Sequence, residues 1–373
     1  MLKKLSIVIA VLVILSFTLT AAGLAAEDVQ TAADAYFSAG TKNIKASDLY
    51  DILNDGDTSN DPFIIDARTP EDYALGHIPG AVNIGAKAAF TADKLAMIPA
   101  DKPVVVYCYT GQTSSQMVSV LNMLGYDAKS MLFGFPAWAM VEGLTGQAPF
   151  DLAVDGHDYK VDAEATPAGE TFDPPTALGE TVAAAAEAYF ANGPKNIKAS
   201  DVFDNLNDGD ASNDPLVIDV RKAEDYQAGH IPGAVYIDPK AVGSAASLAM
   251  LPAGKQVVVY CYTGQTASQV TSVLNMLGYD AANLKFGFAA WSASGKYPFN
   301  AAADSMNYQF DGAATTAAAP AAEAPAVEAP AAAPAAEAPA ALPVSGGAPV
   351  DFTWFYFLAG SGLAGAGLYL RRK

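Results

Sequence analysis

A long internal repeat restricts the fold of this chain more than any other feature of its sequence. The segment "VVVYCYTGQTSSQMVSVLNMLGY" (residues 104–126) returns almost unchanged as "VVVYCYTGQTASQVTSVLNMLGY" (residues 257–279). The same offset of 153 residues relates three identical pairs outside these segments: Asp66/Asp219, His77/His230 and Trp138/Trp291. Solenoid repeats are much shorter, at about 20–50 residues, so this period indicates duplicated globular domains. We therefore predict two copies of one domain.

Composition divides the chain into six regions. Residues 163–179 are rich in Pro, Gly and Thr, which is typical of a linker, and Ala/Pro/Glu repeats from about residue 312 are typical of an extended spacer. The predicted regions are a signal peptide (1–26), a first repeat (27–162), the linker (163–179), a second repeat (180–311), the spacer (312–341) and an anchoring segment (342–373). Each repeat has its own set of predicted strands and helices, so we expect the two to fold independently.

Within each repeat, short apolar strands alternate with helical segments. "PFIIDAR" and "PLVIDVR" are predicted strands that end on an acid, and Val104–Tyr107 is the predicted central strand of the first repeat. Ser47 and Ser200 are predicted N-caps, and Thr69 followed by a proline is a further helix start. This alternation predicts an α/β fold, in which each repeat is a parallel sheet flanked by helices on both faces.

The charge balance and the residue counts exclude several functional classes. The formal net charge of −19 argues against nucleic acid as a partner. The chain has two cysteines and three histidines, and these show no metal-ligand spacing. We therefore predict no metal site, no cofactor and no nucleic-acid partner.

The N-terminus has the pattern of a secretory signal peptide. Residues 1–4 ("MLKK") are basic, residues 5–19 are apolar, and small residues follow up to Ala26. We predict an exported protein. An uncleaved N-terminal anchor is the alternative interpretation.

The C-terminus has the pattern of a surface anchor. "LPVSG" (residues 342–346) precedes an apolar run over residues 352–370 and a basic end, "RRK". At about 1.5 Å per residue, the apolar run is long enough for the hydrocarbon core of about 30 Å. The tail resembles a sortase-type cell-wall sorting signal, LPxTG, with Ser345 at the usual threonine position. We predict that this segment holds the protein at the cell surface. A sortase would attach it covalently to the cell wall, and a plain transmembrane anchor is the alternative.

The two cysteines occupy a position that favours chemistry. Cys108 and Cys261 each follow a predicted strand and precede a glycine-containing loop that opens a helix. Loop amides and the helix dipole stabilise a thiolate, so we predict two reactive, catalytic thiolates of lowered pKa. A buried, inert thiol is the alternative. We call residues 108–114 and 261–267 the first and second cysteine loops. Their predicted substrate-binding residues are Tyr109, Thr110, Gly111, Gln112, Thr113 and Ser114, and Tyr262, Thr263, Gly264, Gln265, Thr266 and Ala267.

The combined motifs resemble those of the rhodanese (sulfurtransferase) family. The resemblance rests on "IDARTPEDYALGHIPGAVNI" (65–84), "IDVRKAEDYQAGHIPGAVYI" (218–237) and the two "CYTGQT" loops. It implies transfer of sulfane sulfur through a cysteine persulfide, with a small sulfane-sulfur donor and a thiophilic acceptor as partners. The loops have the short length of sulfur-transferring members, whereas phosphatase relatives have longer ones. Neither loop contains Lys or Arg, which leaves thiosulfate as the donor open.

The remaining motif residues are predicted to be structural. We expect ion pairs between Asp66 and Arg68 and between Asp219 and Arg221, and hydrogen-bonding roles for the turn histidines His77 and His230. Two alternatives to a sulfurtransferase stay open. One is a non-catalytic module that binds sulfane sulfur or a protein, and the other is a phosphatase or arsenate reductase on the same scaffold.

Overall fold

The computed structural model describes residues 28–167 and 169–313. The predicted signal peptide, most of the spacer and the predicted anchoring segment lie outside this range. Among the described residues, no helix has the length and apolar character needed to cross a bilayer.

The first repeat contains five short strands and seven α-helices. In chain order they are α1 (Val29–Ala39), β1 (Asn43–Ile44), α2 (Ala46–Leu53), β2 (Phe63–Asp66), α3 (Pro70–Leu75), β3 (Val82–Asn83), α4 (Ala92–Leu95), β4 (Val104–Tyr107), α5 (Gln112–Met123), β5 (Ala128–Met131), α6 (Phe135–Trp138) and α7 (Leu152–Asp155). A 3₁₀ helix, Ala86–Ala88, lies between β3 and α4.

The second repeat has the same order without the 3₁₀ helix. Its elements are α8 (Val182–Ala191), β6 (Asn196–Ile197), α9 (Ala199–Asn207), β7 (Leu216–Asp219), α10 (Ala223–Ala228), β8 (Val235–Tyr236), α11 (Ala245–Leu248), β9 (Val257–Tyr260), α12 (Gln265–Met276), β10 (Ala281–Leu284), α13 (Phe288–Trp291) and α14 (Ala301–Asp304).

Each repeat forms a five-stranded parallel sheet, as predicted. The strand orders are β1-β5-β4-β2-β3 and β6-β10-β9-β7-β8, so β4 and β9 are central. Every residue of β4 and β9 is buried, which explains why both strands are continuous apolar runs. Register pairs Phe63 with Val104, and Val104 with Ala128. The carboxyl ends of the central strands therefore place both cysteines at the same edge of their sheets.

The helix starts were predicted with mixed success. Thr69 caps α3 by accepting from the amide of Asp72, with a proline in the first turn, as predicted. Ser47 and Ser200 are not N-caps: α2 and α9 begin one residue earlier, and neither cap position provides a side-chain hydrogen bond. The Ser47 hydroxyl instead lies 3.3 Å from a carboxylate oxygen of Asp48.

The two repeats pack against each other through buried side chains. Helices α5 and α12 pack against each other, and one buried cluster contains residues of both repeats. At their contact, Ser119 Oγ lies 2.8 Å from Ser272 Oγ, so equivalent residues meet near a local twofold axis. Tyr189 of the second repeat donates to Gln116 of the first at 2.6 Å. This packing contradicts the expectation of two self-contained units.

The repeats also exchange their last segments, which we call the exchanged segments (residues 157–162 and 306–311). The amide of Tyr159 donates to the carbonyl of Trp291 in the second repeat, at 3.0 Å. The amide of Tyr308 donates to the carbonyl of Trp138 in the first repeat, at 2.9 Å. Sequence similarity assigns each segment to its own repeat, whereas the structure packs each on the other one.

Candidate active site

Cys108 and Cys261 lie between the central strand and the long helix of their repeats. Both thiols are free and nearly buried, at 2% and 3% exposure. Gly111 has φ of 79° and Gly264 has φ of 83°, the left-handed backbone that glycine adopts readily. These glycines turn each chain from the strand end into α5 or α12, which leaves the sulfur beside the first turn of the helix.

Around Cys108, hydroxyl groups complement the backbone. The Ser114 amide and the Ser114 hydroxyl lie 3.4 Å and 3.5 Å from the Cys108 sulfur. The same hydroxyl lies 2.9 Å from Ser130 Oγ, which itself lies 3.3 Å from the carbonyl oxygen of Gly111. A second hydroxyl, from Ser115, donates to Ser130 at 3.1 Å. The loop therefore offers Cys108 both N–H and O–H donors, which suit a sulfur anion.

Around Cys261, the donors are backbone amides. Ala267 replaces Ser114, and Asn283 stands at the position of Ser130. Burial raises the pKa of the Cys261 thiol, against the opposing effect of amide hydrogen bonds from Ala267 and residues 263, 264 and 266. The prediction of a lowered pKa is therefore wrong in direction for Cys261. Desolvation outweighs the amides because the thiol is almost out of contact with water.

Cys261 opens onto a cleft of about 590 Å³. Two lysines line it, Lys222 and Lys240, together with Gly40 and Thr41 of the first repeat. Neither lysine was predicted as a site residue, because both lie outside the cysteine loops. Lys222 follows β7 and Lys240 follows β8, and the carboxyl ends of parallel strands share one edge of the sheet. That rule could have found both residues.

The loop glutamines do not take the place predicted for them. Gln112 Oε1 accepts from Asn283 Nδ2 at 2.7 Å, and Gln265 Oε1 accepts from the amide of Phe133 at 3.3 Å. Both side-chain oxygens therefore reach into the other repeat, and only Gln265 also donates within its own loop, from Nε2 to the Thr263 hydroxyl at 3.5 Å.

The loop threonines occupy three different environments. Thr110 and Thr263 line a small apolar cavity that residues of both repeats enclose, with Phe133 and Phe286 among them. Thr266 lines the Cys261 cleft, and Thr113 is half-buried.

The loop tyrosines are tied to buried or half-buried carboxylates. Tyr109 donates to Asp72 at 2.5 Å, and Tyr262 donates to Asp225. Burial of Asp72 raises its pKa, but hydrogen bonds from Tyr109 and from the 145–146 amides prevail and lower it. Lys296 and then Tyr262 lower the pKa of Asp225. The two tyrosines therefore have equivalent carboxylate partners, but the further partners of those carboxylates differ: Asp72 accepts from the 145–146 amides, and Asp225 contacts Lys296.

Comparison with known proteins decides the family. The family described as rhodanese-like domain matches residues 45–140 and 199–294, which together make up more than half of the chain. The chain belongs to the rhodanese-like domain family. This confirms the resemblance drawn from the sequence motifs, and each match contains one cysteine loop.

Three relatives illustrate the similarity. Thiosulfate sulfurtransferase GlpE of Pseudomonas paraeruginosa is 35% identical over 89 residues, which cover 23% of this chain and 79% of that protein. The probable adenylyltransferase/sulfurtransferase MoeZ of Mycobacterium tuberculosis is 32% identical over 107 residues, 28% of this chain but only 26% of MoeZ. The crystal structure of a rhodanese-like domain protein from Staphylococcus aureus is 29% identical, with a TM-score of 0.24, and the match covers 29% of this chain and 99% of that one.

Both rhodanese-like domains contain a buried ion pair beside the cysteine strand. Arg68 contacts Asp66 at 2.6 Å, and Arg221 contacts Asp219 at 2.6 Å, with all four side chains almost fully buried. Each guanidinium also donates to a backbone carbonyl, that of Gly76 or Gly229. These contacts link the end of β2 or β7 to the following turn, which is a structural role.

The turn histidines also make structural contacts. His77 Nδ1 lies 2.8 Å from the carbonyl of Tyr73, and the two rings stack. His230 makes the same contacts with Tyr226. Both histidine backbones pair with the exchanged segments.

No group of three or more His, Cys, Asp or Glu side chains with the arrangement of a metal site occurs within residues 28–167 and 169–313.

Proposed function

We propose that this protein is a sulfurtransferase that carries sulfane sulfur as a persulfide on Cys108 and Cys261. The observation that carries the proposal is the Cys108 environment, where an amide and a hydroxyl of Ser114 lie within 3.5 Å of the sulfur. A persulfide adds one polarisable sulfur atom, and a short loop of N–H and O–H donors suits its anion. A phosphate ester would need a wider cradle than these short cysteine loops, in which the helix begins four residues after the cysteine.

The chemistry needs no cofactor. The cysteine thiolate attacks the sulfane sulfur of the donor, so a sulfur–sulfur bond forms while the donor's own sulfur–sulfur bond breaks. The donor leaves with that electron pair. A thiophilic acceptor then attacks the outer sulfur of the persulfide, and the cysteine leaves as the regenerated thiolate.

An anionic donor is proposed for Cys261. Lys222, Lys240 and Arg221 line its cleft, where Glu224 and Asp238 offset part of their positive charge, and the loop itself contains no cation. The name of the GlpE relative, thiosulfate sulfurtransferase, supports a donor of this class. Thiosulfate is therefore the first donor to test.

Intact mass measurement tests the proposal. Exposure of the purified protein to thiosulfate or a polysulfide should add about 32 Da per loaded cysteine, because a persulfide contains one extra sulfur. Cyanide or a reductant should remove the added mass. Cys108→Ser should abolish one addition and Cys261→Ser the other. Loading of the double variant, or rapid hydrolysis of aryl phosphates without loading, would reject the sulfurtransferase.

One observation favours the non-catalytic alternative, a module that captures sulfane sulfur. Both thiols are nearly buried, and burial raises the pKa of Cys261. A capture module would load sulfur but fail to pass it on. Steady-state turnover with a sulfane donor and cyanide distinguishes the two functions, since only the enzyme forms many equivalents of thiocyanate per protein, at a rate well above that of a small free thiol.

We further propose that the protein is exported and held at the cell surface by residues 342–373. The support is the sequence pattern of "LPVSG", an apolar run and a basic end. Deletion of residues 342–373 should release the protein into the medium. Ser345→Ala should do so only if a sortase makes the attachment. Full retention of the deletion variant would indicate an N-terminal anchor instead.

A further inference from the structure

The two cysteine loops touch across the interface through reciprocal glutamines. A Cβ atom on Gly111 of the first loop would lie 2.8 Å from Oε1 of Gln265, a residue of the second loop. A Cβ on Gly264 of the second loop would lie 3.0 Å from Oε1 of Gln112. Both glutamines are 3% exposed, so neither amide has water as a ready substitute partner. Each loop is therefore built partly against the other.

Each glutamine accepts from the backbone segment that borders the opposite cysteine. Gln265 accepts from the amide of Phe133 at 3.3 Å, and Gln112 accepts from the amide of Phe286 at 3.4 Å. Gln112 also accepts from Asn283 Nδ2 at 2.7 Å. Loss of the glutamine oxygen would leave buried N–H donors without a partner, which is costly.

The bordering segment, residues 133–135 in the first repeat and 286–288 in the second, is in direct contact with the cysteine backbone. The amide of Phe135 donates to the carbonyl of Cys108, and the amide of Phe288 donates to the carbonyl of Cys261, both at 2.8 Å. The approach is close, because a Cβ on Gly134 would lie 2.3 Å from the Cys108 carbonyl oxygen. Displacement of this segment therefore moves the cysteine.

The same segment has a backbone conformation that needs support. Phe133 and Phe286 have φ values of 63° and 62°, in the left-handed region that a phenylalanine rarely adopts. Such residues persist only where surrounding contacts hold them. The glutamine from the other repeat is one of those contacts.

We propose that Gln112 is a positioning residue for Cys261 and that Gln265 is a positioning residue for Cys108. Each cysteine is then set by a residue from the loop of the other repeat. The inference deepens the proposed sulfurtransferase function and rests on it for its biological meaning. At the interface between the two "CYTGQT" loops, each loop's glutamine supports the segment beside the other loop's thiol.

Alkylation of single-cysteine proteins tests the proposal. Cys108→Ser leaves only Cys261, and Cys261→Ser leaves only Cys108. In both backgrounds, Gln112→Met removes the acceptor oxygen at similar side-chain size, and Gln112→Glu keeps an acceptor oxygen. The readout is the rate of iodoacetamide alkylation across a pH series, which needs no sulfur donor. Failure of sulfur loading would therefore leave this test intact.

We expect each glutamine substitution to affect the cysteine of the other repeat more than the cysteine of its own repeat. Gln112→Met should change the alkylation rate of Cys261 by about three- to tenfold, the range for one lost hydrogen bond, and shift the midpoint of its pH profile. The rate of Cys108 in the same variant should change less than about twofold, and Gln112→Glu should restore most of the Cys261 rate. Gln265→Met should give the mirror image, with Cys108 as the affected thiol.

Gln116→Met is the matched control. Gln116 lies one turn further along α5 and also reaches the second repeat, but it contacts Tyr189 and Lys195, not a cysteine-bordering segment. Both alkylation rates should stay at the wild-type value. Equal changes at the two cysteines, an unchanged Cys261, or the same effect from Gln116→Met would overturn the proposal. If Gln112→Met loses its cooperative thermal transition, Gln265→Met and Gln112→Glu decide by the same criteria.

Discussion

The Ser114 hydroxyl lies 3.5 Å from the sulfur of Cys108, and the second repeat has no counterpart because Ala267 stands at that position. The two thiols therefore differ by one hydroxyl donor, although their loops are otherwise identical from the cysteine to the threonine before this position. Ser130 orients the hydroxyl, and Asn283 replaces Ser130 in the second repeat. Duplication has produced two related but unequal sites.

Exchanging Ser114 and Ala267 between the repeats should exchange part of the difference in reactivity between Cys108 and Cys261. Ser114→Ala should lower the alkylation rate of Cys108 about fivefold, since one hydrogen bond contributes about 1 kcal/mol. Ala267→Ser should raise the rate of Cys261 if the new hydroxyl reaches the sulfur. The measurement is iodoacetamide alkylation at pH 7 in single-cysteine proteins. Equal rates before and after the Ser114→Ala change would show that the hydroxyl does not stabilise the thiolate.

The pH dependence of Cys261 should be shifted to the alkaline side. Burial raises the pKa of this thiol, so its alkylation should reach half-maximal rate above the pH of about 8.5 expected for a free cysteine. The raised pKa of Cys261 also makes the stability of the folded protein depend on pH. Between the two pKa values, the Cys261 thiol keeps its proton in the folded state and has lost it in the unfolded state. The contribution of this thiol to the free energy of unfolding is therefore fully present below the unfolded pKa and is lost as pH rises through the folded pKa. A midpoint below that of free cysteine would contradict the burial argument.

The lysines of the second cleft should matter for an anionic donor. In the Cys108→Ser background, Lys240→Ala should raise the KM for thiosulfate about two- to fivefold, the range for an exposed charge pair, and added salt should reduce the difference. Lys87→Ala is the matched control, because Lys87 is the equivalent residue of the first repeat. Equal effects of both substitutions on Cys261 would argue against a local electrostatic role.

Removal of the buried arginine should destabilise the first repeat strongly. Arg68→Met leaves Asp66 buried without its partner, which costs about 3–5 kcal/mol in the free energy of unfolding. Asp127→Asn, which removes an exposed pair with Lys42, should cost no more than about 1 kcal/mol. Urea denaturation measures both. Similar costs for the two variants would show that the buried pair has no special structural role.

A single repeat should not fold on its own. Residues 180–311 alone lack the exchanged segment 157–162 and expose the face of α12 that packs on α5. We expect this fragment to be aggregated or to lack a cooperative thermal transition. Co-expression with residues 28–179 should yield a stable complex, because each fragment then supplies the other's missing segment. A monomeric fragment with a sharp transition would support independent folding instead.

Local pattern in the sequence was sufficient for the parallel α/β fold, for the central strands and for the position of the cysteines. Val104–Tyr107 is a continuous apolar run and the central strand, and Cys108 follows it before a glycine that turns into α5. These features depend on neighbouring residues, so they can be read along the chain. The repeat then extended the same assignment to Cys261. An ion pair between Asp66 and Arg68 was also expected, whereas its complete burial became visible only in the structure.

Only the tertiary structure showed that each exchanged segment packs on the other repeat. Tyr159 and Tyr308 belong to equivalent segments, and Trp138 and Trp291 offer them nearly equivalent surfaces, so sequence similarity cannot say which pairs form. In the structure each segment pairs with the other repeat, and α5 packs on α12 between them. The direction of Gln112 depends on the same interface. The pKa of Cys261 depends on how much water that packing removes, and burial is a property of the whole fold, not of any local stretch of sequence.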